Sequence, residues 1–340
     1  MVTILCDHAV HMLHRVVGYD HAALGMSFAA LEANSVPFLE RAGVPRSRIV
    51  CLPWGGPPPD PSPKPFAGRA YDIIFHGSLD SLIPEQEFLR AETAVGLAEP
   101  EARAILRAAE RVVEGDIDPD RSLPEACAEE SIDTSRLDLM RLARMVKATD
   151  IRSRAIRRER FLSAFADAPV HFFGNYPEAF KRKFSRAVFH ENKSFSEISA
   201  ISRNAKIALC DMVNFRRNAH LRLMYDQAHG CLSATEHNDR LGGDFTDMEN
   251  IIFASHPYPD IADKVRAVLA DPARGQAMVD AARPIYKSRY TWRETVKALI
   301  PLLPPLDVKT PLRLTKSKNT RRSPIRAKLT KRKTGRLKSR

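Results

Sequence analysis

The sequence predicts an α/β fold whose parallel sheet is covered by helices on both faces. Three observations carry this. Short apolar runs of strand length recur at "YDIIFHGS", "VHFFG", "KIALC" and "IIFA". Segments with apolar residues at helical spacing lie between them, and strands alternating with helices imply parallel pairing. The stretch "NAHLRLMYDQAHGCLSATE", residues 218 to 236, holds a whole helix–glycine–strand unit. There Asn218 is placed to cap a helix, Leu221, Met224, Tyr225 and Ala228 share one face, Gly230 suits a left-handed stop, and Cys231 to Ala234 form a buried strand.

Taken in order, "VTILC", "LGMSFA" and "IVCLP" read as strands, with "VPFLERAG" a helix between the last two. Residues 1–54 thus form a partial α/β region, about half of a doubly wound domain. Residues 55–69, "GGPPPDPSPKPFAGR", hold six prolines and read as an extended, semi-rigid linker. After the strand "YDIIFHGS", helical spacing runs through "EARAILRAAERVV" and "LDLMRLARMV", with Pro100, Pro119 and Pro124 as breaks, so 84–149 reads as a helical insert. Alternation then resumes with a helix over 151–166, "VHFFG", a helix after Pro177, "KIALC", the 218–236 unit, "IIFA", and closing helices over 260–287 and 291–300. Residues 70–300 make the main domain.

The formal charge of +12 would suggest a nucleic-acid binder until it is located. Residues 308–340 carry 14 Lys/Arg and no acid, and subtracting them leaves the other 307 residues at −2. The basic balance belongs to a tail, expected to be disordered and to touch an anionic membrane or nucleic acid. Five cysteines without CxxC spacing read as buried reduced thiols, which fits a cytoplasmic protein. No stretch approaches the ~20 apolar residues of a membrane span, and the N-terminus has no signal-peptide pattern. His8, His11, His14 and His21 lack metal-site spacing, so no metal is expected, and GxSxG and P-loop patterns are missing from the sequence.

Three turns at strand ends are candidate sites. His76-Gly77-Ser78 closes a buried strand with small residues, which lets backbone amides approach a phosphate. Gly174-Asn175 closes the next strand in the same way. The third is the start of the 218–236 helix, where Arg217 and Arg222 are suited to a diphosphate.

From "YDIIFHGSL", and from "RRERFLSAF" through "VHFFGN", "AKIAL", "HLRLMYDQAHGCLSATE" and "DMENIIFAS" to "YTWRETVKALI", the sequence resembles the CgeB-like (spore-maturation type) glycosyltransferases. The resemblance is densest over about residues 150–300. Its most specific part is an R-x-aromatic-E-x-x-A-x-G helix, represented by Arg222, Met224, Tyr225, Ala228 and Gly230. It implies a GT-B fold of two Rossmann-like domains, the second holding a nucleotide-diphosphate sugar and the first, shortened here, an acceptor that is a glycan, lipid or protein. It further implies that His76, Gly77, Ser78, Gly174, Asn175, Arg217, Asn218, His220, Tyr225, Asp226 and Glu236 surround the donor. Arg222 would stabilise the leaving diphosphate, with Asp7 and His8 as candidates for a base. Tyr225 stands where the family carries a glutamate for the ribose diol, and Asp226 points about 100° away on a regular helix. Two rivals remain: a non-catalytic nucleotide-sugar-binding protein, and an anionic-surface binder acting through the tail.

Overall fold

The computed structural model describes residues 2–302, apart from 6–7, 22, 31, 53, 80–81, 116 and 213–217. The basic segment 308–340, Asp7 and Arg217 lie outside the described residues.

The chain opens with β1 (Val2–Ile4), α1 (Ala9–Met12), β2 (Ser27–Ala30), α2 (Val36–Arg41) and β3 (Ile49–Cys51), and the three strands pair in parallel in that order. After β4 (Tyr71–His76) come α3 (Glu85–Ala94), α4 (Glu99–Gly115), α5 (Pro119–Glu129) and α6 (Leu139–Ser163). Pro100 and Pro119 sit in the first turns of α4 and α5, where a missing N–H costs nothing. Pro124, expected to break the chain, lies inside α5. The expected boundary at residue 149 is also absent, because α6 runs unbroken for 25 residues. A three-stranded sheet is too small to bury its own face, and α3–α6 supply the missing cover. Phe28, Leu39 and Ile49 accordingly share one core with Phe88, Ile105, Leu123 and Met145.

The remainder comprises β5 (Val170–Phe173), α7 (Glu178–Lys181), β6 (Val188–His190), α8 (Phe195–Ser202), β7 (Ala205–Cys210), α9 (Leu221–Ala228), β8 (Leu232–Glu236), α10 (Asp239–Gly242), β9 (Ile252–Ala254), α11 (Ile261–Ala270), α12 (Pro272–Arg289) and α13 (Trp292–Leu299). The single closing helix expected over 260–287 is two, parted at Asp271-Pro272. The sheet has strand order β6-β5-β4-β7-β8-β9, all parallel. This is the strand order of doubly wound dinucleotide-binding sheets, with its switch point between β4 and β7. Strand alternation sorts the two faces. Ile73, Phe75, Ile207 and Leu209 pack toward Phe161, Val265 and Met278, whereas Ile74 and Ala208 meet Ile198, and Cys210 meets Leu223.

Residues 55–69 are held along their length. Gly56 N–H donates to the Tyr290 carbonyl (2.8 Å), Tyr286 Oη donates to the Pro57 carbonyl (2.6 Å), and the Phe66 ring is fully buried in the main core. Cys127, Cys210 and Cys231 are buried free thiols, and Cys51 is exposed.

Candidate functional site

At the switch point the ends of β4, β5 and β7 converge. Gly77 and Gly174 adopt φ of +152° and +153°, a region that favours glycine. A Cβ on Gly174 would lie 2.2 Å from the Gly77 carbonyl oxygen, so the two turns nest only because Gly174 lacks a side chain. Cross-turn bonds fix them: Gly77 N–H to the Phe173 carbonyl (3.0 Å), Leu79 N–H to the Asn175 carbonyl (3.0 Å), and Asn175 N–H to Ser78 Oγ (3.1 Å). Tyr176 Oη donates to the Gly77 carbonyl.

Asp211 follows β7 at the same edge and is 1% exposed. Arg222 Nη2 donates to its Oδ1 (2.7 Å), and Arg158 Nε donates to its Oδ2 (3.0 Å). Burial works to raise the Asp211 carboxyl, but the two guanidinium groups overcome it and hold the pKa well below the usual carboxylate range. Two cations on one carboxylate leave a net positive charge. The guanidiniums also lock the turns: Arg222 Nη1 donates to the His76 carbonyl (2.9 Å) and Arg158 Nη1 to the Ser78 carbonyl (2.6 Å). A Cβ on Gly77 would come within 2.9 Å of Arg222 Nη1, so this arginine lies against the glycine backbone.

Helix α9 begins beside this cluster. Its cap is His220, whose Nδ1 accepts from Arg222 N–H (3.0 Å), and not Asn218 as the sequence suggests. Burial, and then the Arg222 charge, push the His220 pKa well below its ordinary value, so its ring stays a neutral acceptor. Asn218 instead donates from Nδ2 to the Leu52 carbonyl (3.0 Å), tying α9 to the end of the N-terminal sheet. A cavity of about 260 Å³ opens here, lined among others by His76, Gly77, Lys193, Phe195, Arg222 and Tyr225. Tyr225 stands edge-on to Phe195 at 4.3 Å.

Asp226 and Glu236, both expected at the ligand, have their carboxylates bonded within the protein. Asp226 is fully buried and accepts from Ser202 Oγ (2.6 Å), with His76 Nε2 at 2.9 Å. Glu236 is also buried; it accepts from Arg157 Nη2 (2.8 Å), Met212 N–H (2.7 Å) and the Tyr258 hydroxyl. His8 lies in the N-terminal region, where it caps α1 through Nδ1 and meets Phe38 edge-on. Its neighbour His11 bonds Asp150 (2.8 Å), a buried carboxylate shared with Arg154 (2.6 Å). Sequence reading passes over Arg158, Asp211, Lys193 and Phe195. Asp211 had a usable signal, as the polar residue directly after the buried strand "KIALC"; Arg158 is one of several arginines in its helix.

Among the described residues no group of His, Cys, Asp and Glu side chains could hold a metal ion, and no helix is long and apolar enough to cross a membrane.

No curated protein sequence matches the chain. Among solved structures, an alpha-glucosyltransferase in complex with UDP-glucose and abasic-site DNA aligns at 10% identity with TM-score 0.52, covering 89% of this chain and 71% of that one. TarM from S. aureus aligns at 9% identity and TM-score 0.41, and the match spans 82% of this chain and only 44% of TarM. Anabaena Alr3699/HepE, in complex with UDP and glucose, aligns at 9% identity and TM-score 0.46 over 88% and 69% of the two chains. By its strand order and the first of these alignments the fold is the Rossmann-like α/β architecture of GT-B glycosyltransferases, and residues 154–300, which contain Arg158, Gly174, Asp211 and α9, match the family model described as glycosyl transferase-like.

Proposed function

We propose that the chain binds a nucleotide-diphosphate sugar at the switch-point crevice and transfers the sugar to an acceptor. The observation that supports this reading best is the cluster in which Arg158 and Arg222 share Asp211 against the nested Gly77 and Gly174 turns. As the sugar–phosphate bond breaks, negative charge grows on the departing diphosphate. A preorganised positive cluster at a helix start opposes that charge without reorganising, which is the kind of term that lowers a barrier most. The aromatic wall of Tyr225 and Phe195 offers the cavity an apolar side for a base or sugar ring. The family match over 154–300 and the likeness to a structure holding UDP-glucose agree with this ligand class.

The test is a panel of nucleotide sugars scored by thermal stabilisation, since a ligand that binds only the folded state raises the melting temperature by mass action. At least one nucleotide-diphosphate sugar is expected to stabilise the protein and to be consumed with release of nucleotide diphosphate. A panel without any stabilising member contradicts the proposal. Tyr225 favours the second, non-catalytic reading, because a phenol engages a ribose diol with fewer acceptors than a carboxylate. That reading predicts binding without nucleotide release.

A further inference from the structure

Between α3 and α6 the surface opens into an apolar groove of about 380 Å³, within the size range of small-molecule sites. Leu82, Ile83, Phe88, Ile151 and Ala155 supply its apolar lining. Several are unusually open for such residues: Leu82 is 37% exposed and Ile151 38%, and Val95 at the α3 end is 57% exposed. Three cations, Arg144, Lys147 and Arg152, stand on the rim against one acid, Glu92. Arg144 spends its charge locally, bonding the Val95 carbonyl (2.5 Å) and lying 3.8 Å from Glu92. Arg152 lies over the Phe88 ring at 4.8 Å and donates to the Ile83 carbonyl (3.4 Å), with the carboxylates of Glu85 and Glu110 acting on its charge. Lys147 has no ion-pair partner among the described residues, so the rim keeps one uncompensated cation beside exposed apolar surface.

The groove follows one face of α6. Arg144, Lys147, Ile151 and Ala155 fall on successive turns, a run of roughly 16 Å at 1.5 Å per residue. Arg158, one turn beyond Ala155, belongs to the diphosphate cluster. A narrow apolar channel of this length with cations along its edge suits an extended hydrocarbon chain bearing an anionic head. The acid-free basic segment 308–340 would be drawn to the same chemistry, a surface rich in anionic lipid.

We propose that this groove binds a single-chain lipid monophosphate, the chain lying on Phe88 and Ile151 and the phosphate held by Lys147 and Arg152. Nothing in this inference depends on the sugar-transfer reading, and binding alone tests it. The probe is dodecyl phosphate below its micellar concentration, titrated into the full chain by calorimetry, with dodecyltrimethylammonium and inorganic phosphate as comparisons. One-site micromolar binding is expected for dodecyl phosphate, at least tenfold weaker binding for the cationic amphiphile, and no heat from phosphate. Ile151→Glu and Lys147→Glu should each weaken dodecyl phosphate at least tenfold, while Val296→Glu on α13 changes nothing. If Ile151→Glu melts early, Lys147→Glu, at the rim, carries the test. Equal binding by both amphiphiles overturns the proposal. So does binding that neither groove variant weakens, as attachment to the 308–340 cations would give. Self-association abolished by Ile151→Glu would assign the groove to a second copy and also overturn it.

Discussion

The two sheets of this molecule solve the same problem differently. In the six-stranded sheet, β4, β5 and β7 end in Gly77, Gly174 and Asp211, and the backbone turns touch one another directly. In the three-stranded sheet the core is completed by α3–α6, and the charged cluster at the start of the region, His11–Asp150–Arg154, is spaced along helices. Both clusters bury a carboxylate between two basic side chains. The difference lies in what surrounds them. Asp211 faces two arginines beside the glycine turns and a cavity, whereas Asp150 is buried with one arginine and a histidine. Only the first arrangement leaves a fixed surplus charge next to open space, which is what an anionic ligand requires.

The largest expected effect separates these clusters. Asp211→Asn strands two guanidinium groups that are 17% and 13% exposed and should cost ~3–5 kcal/mol in urea unfolding. Asp150→Asn, with only one obligate cation to strand, should cost less, about 1–3 kcal/mol. Equal losses would dissolve the comparison.

Glycine gives the next contrast. Gly174→Ala drives a Cβ into backbone and should destabilise by ~3 kcal/mol or more. Gly43→Ala in the N-terminal region, at φ +90° with open space around it, should pay only the left-handed conformational penalty of roughly 1–2 kcal/mol. Chemical denaturation of both variants checks the ordering.

Acidification sharpens the picture by smaller steps. The folded pKa of His220 is depressed, so below an unfolded value of about 6.5 the unfolded chain binds a proton that the folded chain refuses. Stability should therefore fall as pH drops from about 6.5, by at most ~1.4 kcal/mol per pH unit for this one group. His171, His190 and His229 are displaced in the same direction by burial and add to the trend. His220→Asn, which keeps a capping acceptor, should flatten the slope by one proton's share. The depressed Asp211 carboxyl acts lower: its contribution is complete above an unfolded pKa of about 4 and is lost as pH falls through the folded value. A variant with the native slope above pH 5 would contradict the assignment to His220.

The smallest effect concerns the cavity wall. Tyr225→Glu offers a second acceptor to a ribose diol and should tighten nucleotide binding by about two- to tenfold, one hydrogen bond's worth, as read by calorimetry.

Much of the larger sheet was legible because its strands are short apolar runs bounded by turn residues, and the near-continuous apolar run within "YDIIFH" or "KIALC" reports burial on both faces. Both glycine turns were visible for the same reason. What escaped was long-range pairing. A sequence cannot show that Arg158, 53 residues before Asp211, shares it with Arg222. Nor can it show that Asp226 and Glu236 turn inward to Ser202 and Met212. Short elements such as β6 and α10 carry too few residues for periodicity to register, and Pro124 inside α5 shows a local rule yielding to packing around Leu123 and Cys127. His220 displaced Asn218 as the cap because Asn218 was needed at the Leu52 carbonyl.

The most direct test of the central claim is calorimetric titration of the full chain with UDP-glucose, or with whichever nucleotide-diphosphate sugar stabilises it most, well below the melting temperature of each variant. Arg158→Ala and Arg222→Ala should each weaken binding at least about tenfold, ~1.4 kcal/mol, while His11→Ala in the other cluster leaves it unchanged. Binding that survives both arginine substitutions, or that is lost with His11, would contradict the placement of the diphosphate at the switch point.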